Sequence, residues 1–239
     1  MDNGLYVALS KQTAQFREMN IIANNMANAT TAGFKKNEIV FSAYLSNEGH
    51  RSKIAYAQDL GEFQDFSSGS FQYTGNSLDM AIEGDGFFVV ETPLGPRYTR
   101  AGNFRINAEN TLVNPQGHPV LGAGGQQIQF QQEDRDIAVG ADGSIIVDGE
   151  ERGALDIVQF EDNQKLQTAS GTLFKSDETP QPATDVKVSQ GVIETSNVEP
   201  ISEISRMIMV LRRVSNTSQY IETSYDLQRK AQETLARQS

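Results

Sequence analysis

The residues best suited to chemistry in this 239-residue chain are few and scattered. There is no cysteine, which removes thiolate zinc sites, iron–sulfur clusters, disulfides and a cysteine nucleophile together. The two histidines, His50 and His118, lie far apart in turn-like surroundings, so a transition-metal site would have to combine them with carboxylates. Asp134 with Asp136, or Glu150 with Glu151, offers the residue types of a general acid–base pair. Each pair sits beside turn residues in an acidic stretch, the usual setting of solvated loop carboxylates. Gly84-Asp85-Gly86 begins like a dinucleotide fingerprint, but Phe87-Phe88-Val89-Val90 follows as a strand where that motif needs a helix. Asp142-Gly143 and Asp148-Gly149 lack the alternating acids of a calcium loop and read as turns. No nucleophile elbow, phosphate loop or His-Glu-x-x-His motif occurs. The expectation is a protein that is not an enzyme and uses no metal or cofactor.

Charge narrows the choice of partner. Residues 1–48 balance four acids with four bases, and residues 197–239 set five acids against six bases. The excess behind the net charge of −11 therefore sits in the middle of the chain. An acidic body with neutral ends suits neither nucleic acid nor an anionic membrane surface, both of which select basic patches. No stretch approaches the roughly 20 apolar residues of a membrane span. Asp2 and the short run Leu5-Tyr6-Val7-Ala8-Leu9 do not make a cleavable secretory leader, so the chain reads as cytoplasmic or exported by another route.

The elements that must position any function follow from where helix breakers fall. Only Gly4 and Gly33 of the 20 glycines precede Gly49, none follows Gly191, and all 7 prolines lie from Pro93 to Pro200. Residues 5–32 are predicted as one amphipathic helix, with Leu5, Leu9, Phe16, Met19, Ala23 and Met26 on a coiled-coil-like stripe widened by Ile21 and Ile22. Asn24, Asn25 and Asn28 either help terminate it or form hydrogen bonds between subunits. Gly33 supplies an unusual backbone conformation and Phe34 anchors the helix exit. At the other end, Ser196, Asn197 and Glu199 are predicted to cap a helix that opens on Pro200. Its stripe is Ile204, Met207, Leu211, Val214, Ile221, Tyr225 and Leu235, interrupted by Ser218, Gln228 and Gln232. Around Met207-Ile208-Met209-Val210-Leu211 it is apolar nearly all round, which calls for burial by several neighbours.

The middle reads as strands and turns. Ile137–Val139, Ile145–Val147 and the run from Leu155 to Phe160 are predicted strands, with two-residue turns at Asp142-Gly143 and Asp148-Gly149. The predicted fold is α+β: a discontinuous α-helical, coiled-coil-like domain from both termini with a central, mostly antiparallel β domain. The divisions are an assembly helix at 1–33, an extended connector at 34–77, the β domain at 78–176, a return connector at 177–195, and a second assembly helix at 196–239 packing with the first. The residues expected to mediate subunit assembly are those of the two stripes, with Ile22, Ile208, the three asparagines, Gly33 and Phe34.

The run Ala23-Asn24-Asn25-Met26-Ala27-Asn28-Ala29-Thr30-Thr31-Ala32-Gly33-Phe34-Lys35 resembles the N-terminal signature of the bacterial flagellar rod and hook family. The stretches Leu78 to Val90, Tyr98 to Phe104 and Leu112 to Asn114 resemble its central domain, and Gln190 to Ala231 its C-terminal module. The resemblance covers nearly the whole chain; Met26 and Ala29 depart from the aliphatics the family more often carries there. It implies a structural axial subunit of the flagellar basal body, in the rod crossing the periplasm, transmitting torque from motor to hook. It implies partners that are further copies of the chain, other proximal and distal rod subunits, and the flagellar type III export apparatus during secretion. The proximal rod is the expected position. A distal-rod role is the alternative, and a secreted binding module with helical oligomerisation arms is a further one.

Overall fold

The computed structural model describes residues 2–47, 53–134 and 136–236, so His50 lies outside the described residues. With one glycine, Gly4 in the first turn of the first, and Pro200 opening the second, the ends form two long helices, α1 (Asp2–Ala27) and α2 (Pro200–Ala236). The chain divides into two compact units. The first holds α1, residues 37–65 and α2; the second holds residues 28–36 and 66–198.

In the first unit the helices lie antiparallel. Gln12 Nε2 donates to Ser218 Oγ at 3.2 Å, Arg213 pairs with Glu18 at 3.0 Å, and Asn25 Nδ2 donates to Glu203 Oε2 at 3.3 Å. Positions rise along α1 as they fall along α2. The unit also contains a long antiparallel hairpin, β1 (Asn37–Asn47) with β2 (Lys53–Gln64), bulged between Val40 and Phe41. The stretch expected as an extended connector over 34–77 is thus largely paired strand, ending with β3 (Phe71–Tyr73). The β-branched and aromatic run from Ile39 to Leu45 favours strand, but no short turn signal marks the hairpin. The expected capping box is also absent. Ser196 Oγ accepts from the Val198 amide, and the Asn197 side chain bonds Ser67 and the Lys36 amide, so α2 starts after Glu199.

The second unit is built on a six-stranded sheet. Its order is Gln167–Ser170, Leu173–Lys175, β6 (Gly95–Thr99), β5 (Phe87–Thr92), Ile157–Gln159 and Gln181–Pro182, every pairing antiparallel. Strand β5 is buried on both faces, which is why it reads as unbroken apolar sequence. Phe88 and Val90 enter a core with Met80, Phe104, Leu112 and Ile145, while Phe87 and Val89 join Tyr98, Val158 and Phe174. Gly84-Asp85-Gly86 is a bend leading into this strand, as expected. Asp148 (φ 51°) and Gly149 (φ 86°) form the expected two-residue turn between Ser144–Val147 and Glu150–Ala154. The preceding connection, Gly140 to Gly143, has four residues rather than two. Residues 177–195 do more than return the chain, since Lys187–Gln190 pairs with β4 (Met80–Glu83) and Val192–Glu194 with β3.

Burial holds the Asp156 carboxyl above its usual pKa. A folded-state pKa above the unfolded one means that ionisation opposes folding at neutral pH, and stability rises as pH falls through that folded value. Asp156→Asn is expected to raise the thermal midpoint at pH 7 and to lose this advantage below about pH 4, near the unfolded carboxyl pKa. Calorimetry across that range checks both signs.

Candidate assembly site

The side chains buried where the helices meet are not the stripe that the sequence offers. On α1 the buried series includes Ala8, Gln15 and Ile22, and on α2 it is Glu203, Val210 and Thr217, each spaced by seven residues. The predicted stripe lies mostly on exposed faces. Leu9, Phe16 and Met26 are exposed on α1, as are Ile204, Ile208, Leu211 and Tyr225 on α2, with Leu211 49% accessible. Met19, Met207, Val214 and Ile221 are half-buried, and Ile22 is fully buried. Leu5 lies in α1, its side chain outside what the structure describes. Ile201 and Met209 extend the exposed apolar surface of α2. The stripe is therefore not the seam of the intramolecular pair, whose buried series mixes Ala8, Ile22 and Val210 with Gln15, Glu203 and Thr217.

The three asparagines separate by role. Asn25 is fully buried, donating through Nδ2 to the Asn37 carbonyl and accepting at Oδ1 from the Asn37 amide, both at 2.9 Å. Its side-chain amide thus replaces a strand partner at the first residue of β1. Glu203, which takes a third bond from Asn25, is also held by Arg206 at 3.1 Å. Asn28 is half-buried and accepts from the Thr31 hydroxyl, consistent with ending the helix, and Asn24 is exposed.

In the second unit, residues 33–36 run beside residues 194–197. Gly33 has φ 65°, and a Cβ there would lie 2.2 Å from the Ala101 amide nitrogen, so both backbone and space require glycine. The Gly33 amide donates to the Glu194 carbonyl at 2.8 Å, and Phe34 is buried as expected. Lys35 and Glu194 form an ion pair at 2.6 Å with side chains 1% and 0% accessible. Lys35 Nζ also donates to the Ser67 carbonyl, and the Gly69 amide donates to Glu194 Oε1. Arg100 lies 3.8 Å from Glu194, donates to the carbonyls of Ile82 and Gly84, and rests over the Phe87 ring. Burial pushes its guanidinium below the ordinary pKa, opposed by Glu194 and Asp85. Sequence reasoning did not single out this cluster, because Lys35 and Glu194 are 159 positions apart and no spacing links them. A cavity of about 300 Å³ lined by Thr30, Thr31, Thr99, Asn103, Asn114 and Thr172 carries no titratable side chain. Among the described residues there is no group of three or more metal-ligating side chains, and no helix is long and apolar enough to cross a membrane.

The first unit thus pairs two long helices that leave apolar side chains exposed, and the second is an antiparallel β body holding a buried ion pair. Residues 5–35 match the family described as flagella basal body rod protein, 81–147 the flagellar hook protein FlgE/F/G D1 domain, and 189–234 the flagellar basal body rod FlgEFG protein C-terminal region. The chain is 35% identical over 243 residues to the flagellar basal-body rod protein FlgF of Caulobacter vibrioides, covering 99% of each chain. It is 36% identical over 242 residues to FlgF of Mesorhizobium japonicum, covering 100% of each, and 30% identical over 255 residues to the rod protein FlgG of Bacillus subtilis, covering 95% of this chain and 97% of that one. The chain belongs to the flagellar basal-body rod protein family, and within it to the FlgF type. It is accordingly a structural subunit of the basal-body rod rather than an enzyme, and it assembles with other rod and hook components.

Proposed function

We propose that this subunit occupies the proximal rod and polymerises through its terminal helices, which supercoil with those of neighbouring copies and carry torque toward the hook. The observation that carries this reading is the exposed apolar surface of α1 and α2: Leu9, Phe16 and Met26 on one, Ile201, Ile204, Ile208 and Leu211 on the other. Large apolar side chains left exposed in such number on two paired helices favour an association site. The near-neutral charge of both ends removes like-charge repulsion where helices crowd, and the acidic middle suits an outer, solvated body. Gly33 and Phe34 serve assembly by fixing the course of the chain after α1, while Asn24 and Asn28 add polar contacts beside the apolar stripe. The proximal position is supported by identities of 35%, 36% and 37% to three FlgF proteins, against 30% and 31% to two FlgG proteins. The cysteine-free sequence suits export as an unfolded chain through the type III apparatus, where stray disulfides would be a hazard.

A cysteine-free chain makes the test direct. Leu211→Cys is the sole thiol in the variant, and its labelling by maleimide is expected to be fast in the purified subunit and at least 10-fold slower in isolated basal bodies. Equal labelling in both would remove the helices from the subunit contact.

A further inference from the structure

The cavity of about 300 Å³ in the β body is lined by residues of neither terminal helix. Its floor is built from interior side chains: Thr99, Asn114 and Thr172 are 1%, 2% and 6% accessible. Its rim is open, since Thr30, Pro115 and Gln116 are exposed. Three of the stretches that carry the family resemblance meet here, through Thr31, Thr99 and Asn114. The hydrogen bonds already made decide what each polar group can still offer. Thr99 Oγ1 accepts from the Ala101 amide at 3.0 Å, so its hydroxyl proton is the part it can give. Asn114 Oδ1 accepts from the His118 amide at 2.8 Å, which fixes the flip of the carboxamide and makes its NH2 a donor. The Thr31 hydroxyl donates to Asn28 Oδ1 at 3.2 Å and keeps its lone pairs for accepting.

The lining is thus neutral, with donors and acceptors interleaved and Ala32, Ala101 and Ile193 set among them. A carboxylate or ammonium would be desolvated here against no opposite charge. A wholly apolar ligand would strip water from the buried hydroxyls and amide of the floor. A pyranose matches both features, because its ring hydroxyls donate and accept together while its C–H faces are apolar. The volume is at the small end of ligand sites, as one sugar ring requires. We propose that this cavity is a saccharide site that takes one neutral pyranose, either free or as a residue of a glycan chain leaving through the open rim. The site is independent of the helices on which the assembly reading rests.

The test titrates the full-length, nitrogen-15-labelled subunit with glucose, galactose and N-acetylglucosamine while amide shifts are followed. At least one sugar is expected to give saturable shifts confined to the amides of Thr31, Ala101, Asn103 and Thr172. Thr172→Val keeps the shape and removes one hydroxyl, and Asn103→Leu removes one carboxamide. Each is expected to weaken binding about 5-fold, the share of one hydrogen bond, and the second serves if the first does not fold. Glucuronate is expected to bind about 10-fold more weakly than glucose, because its carboxylate meets no cation. A β-linked tetramer of the bound sugar separates the sources: tighter binding than the monomer indicates a glycan chain, and equal or weaker binding a free sugar. No saturable shift with any of the three up to about 50 mM overturns the site. Shifts spread over the whole body overturn it too, as does binding undiminished in both variants. Equal shifts from N-methylacetamide, with none from the sugars, would assign the cavity to a peptide segment instead.

Discussion

Replacing Ile208 and Leu211 together by aspartate is expected to abolish incorporation into the rod, and with it motility, while leaving the subunit folded. Both side chains are about half exposed, so the isolated chain loses little packing when they change. Covered by a neighbour's helix, each would contribute about 1.5–3 kcal/mol of apolar burial. Reversing that contribution at two positions, and adding two carboxylates that must be desolvated or excluded, weakens each subunit contact by more than about 100-fold. Circular dichroism of the purified variant should match the parent, and immunoblots of isolated basal bodies should lack it. Normal swimming in the double variant would mean that the stripe is solvated in the rod and that subunits meet elsewhere.

Lys35→Met is expected to produce the largest loss of stability from one substitution. Methionine keeps most of the aliphatic stem but removes the ammonium that faces Glu194 at 2.6 Å in a site without solvent. Glu194 would retain the Gly69 amide and Arg100 at 3.8 Å, too little to balance a buried carboxylate. Breaking a buried ion pair from one side costs about 3–5 kcal/mol, or a fall of about 6–20 °C in the thermal midpoint of a unit this size. The exposed Lys187, changed to methionine, is the control and should melt with the parent. A midpoint for Lys35→Met within about 2 °C of that control would show that the pair does not hold residues 33–36 in place.

Much of the fold was legible because local chemistry dictated it. Long runs without glycine or proline mark the bodies of α1 and α2, the doubly buried Phe87-Phe88-Val89-Val90 is continuous apolar sequence, and Asp148-Gly149 is a turn by residue type. What was missed depends on distant partners. Periodicity located the apolar stripe but could not say what covers it, and the seam that forms instead uses Gln15, Asn25 and Glu203, which look like surface residues in a linear reading. Lys35 was visible only as the last letter of a motif, since its partners Glu194 and Arg100 reach it through the fold of the body. The β1–β2 hairpin was overlooked because its strands are long and bulged and the sequence between them carries no two-residue turn signal.

The side-by-side course of residues 33–36 and 194–197 has a mechanical consequence. The chain between them, the β1–β2 hairpin as well as the β body, lies behind one gate, closed by the Gly33–Glu194 backbone bond, the Lys35–Glu194 pair and the bond from the Lys36 amide to Asn197 Oδ1. The sheet occupies a closed loop of chain behind that gate. Tension applied to the two ends is borne first by the gate, in parallel bonds that must break together, and the strands beyond it stay slack until it fails.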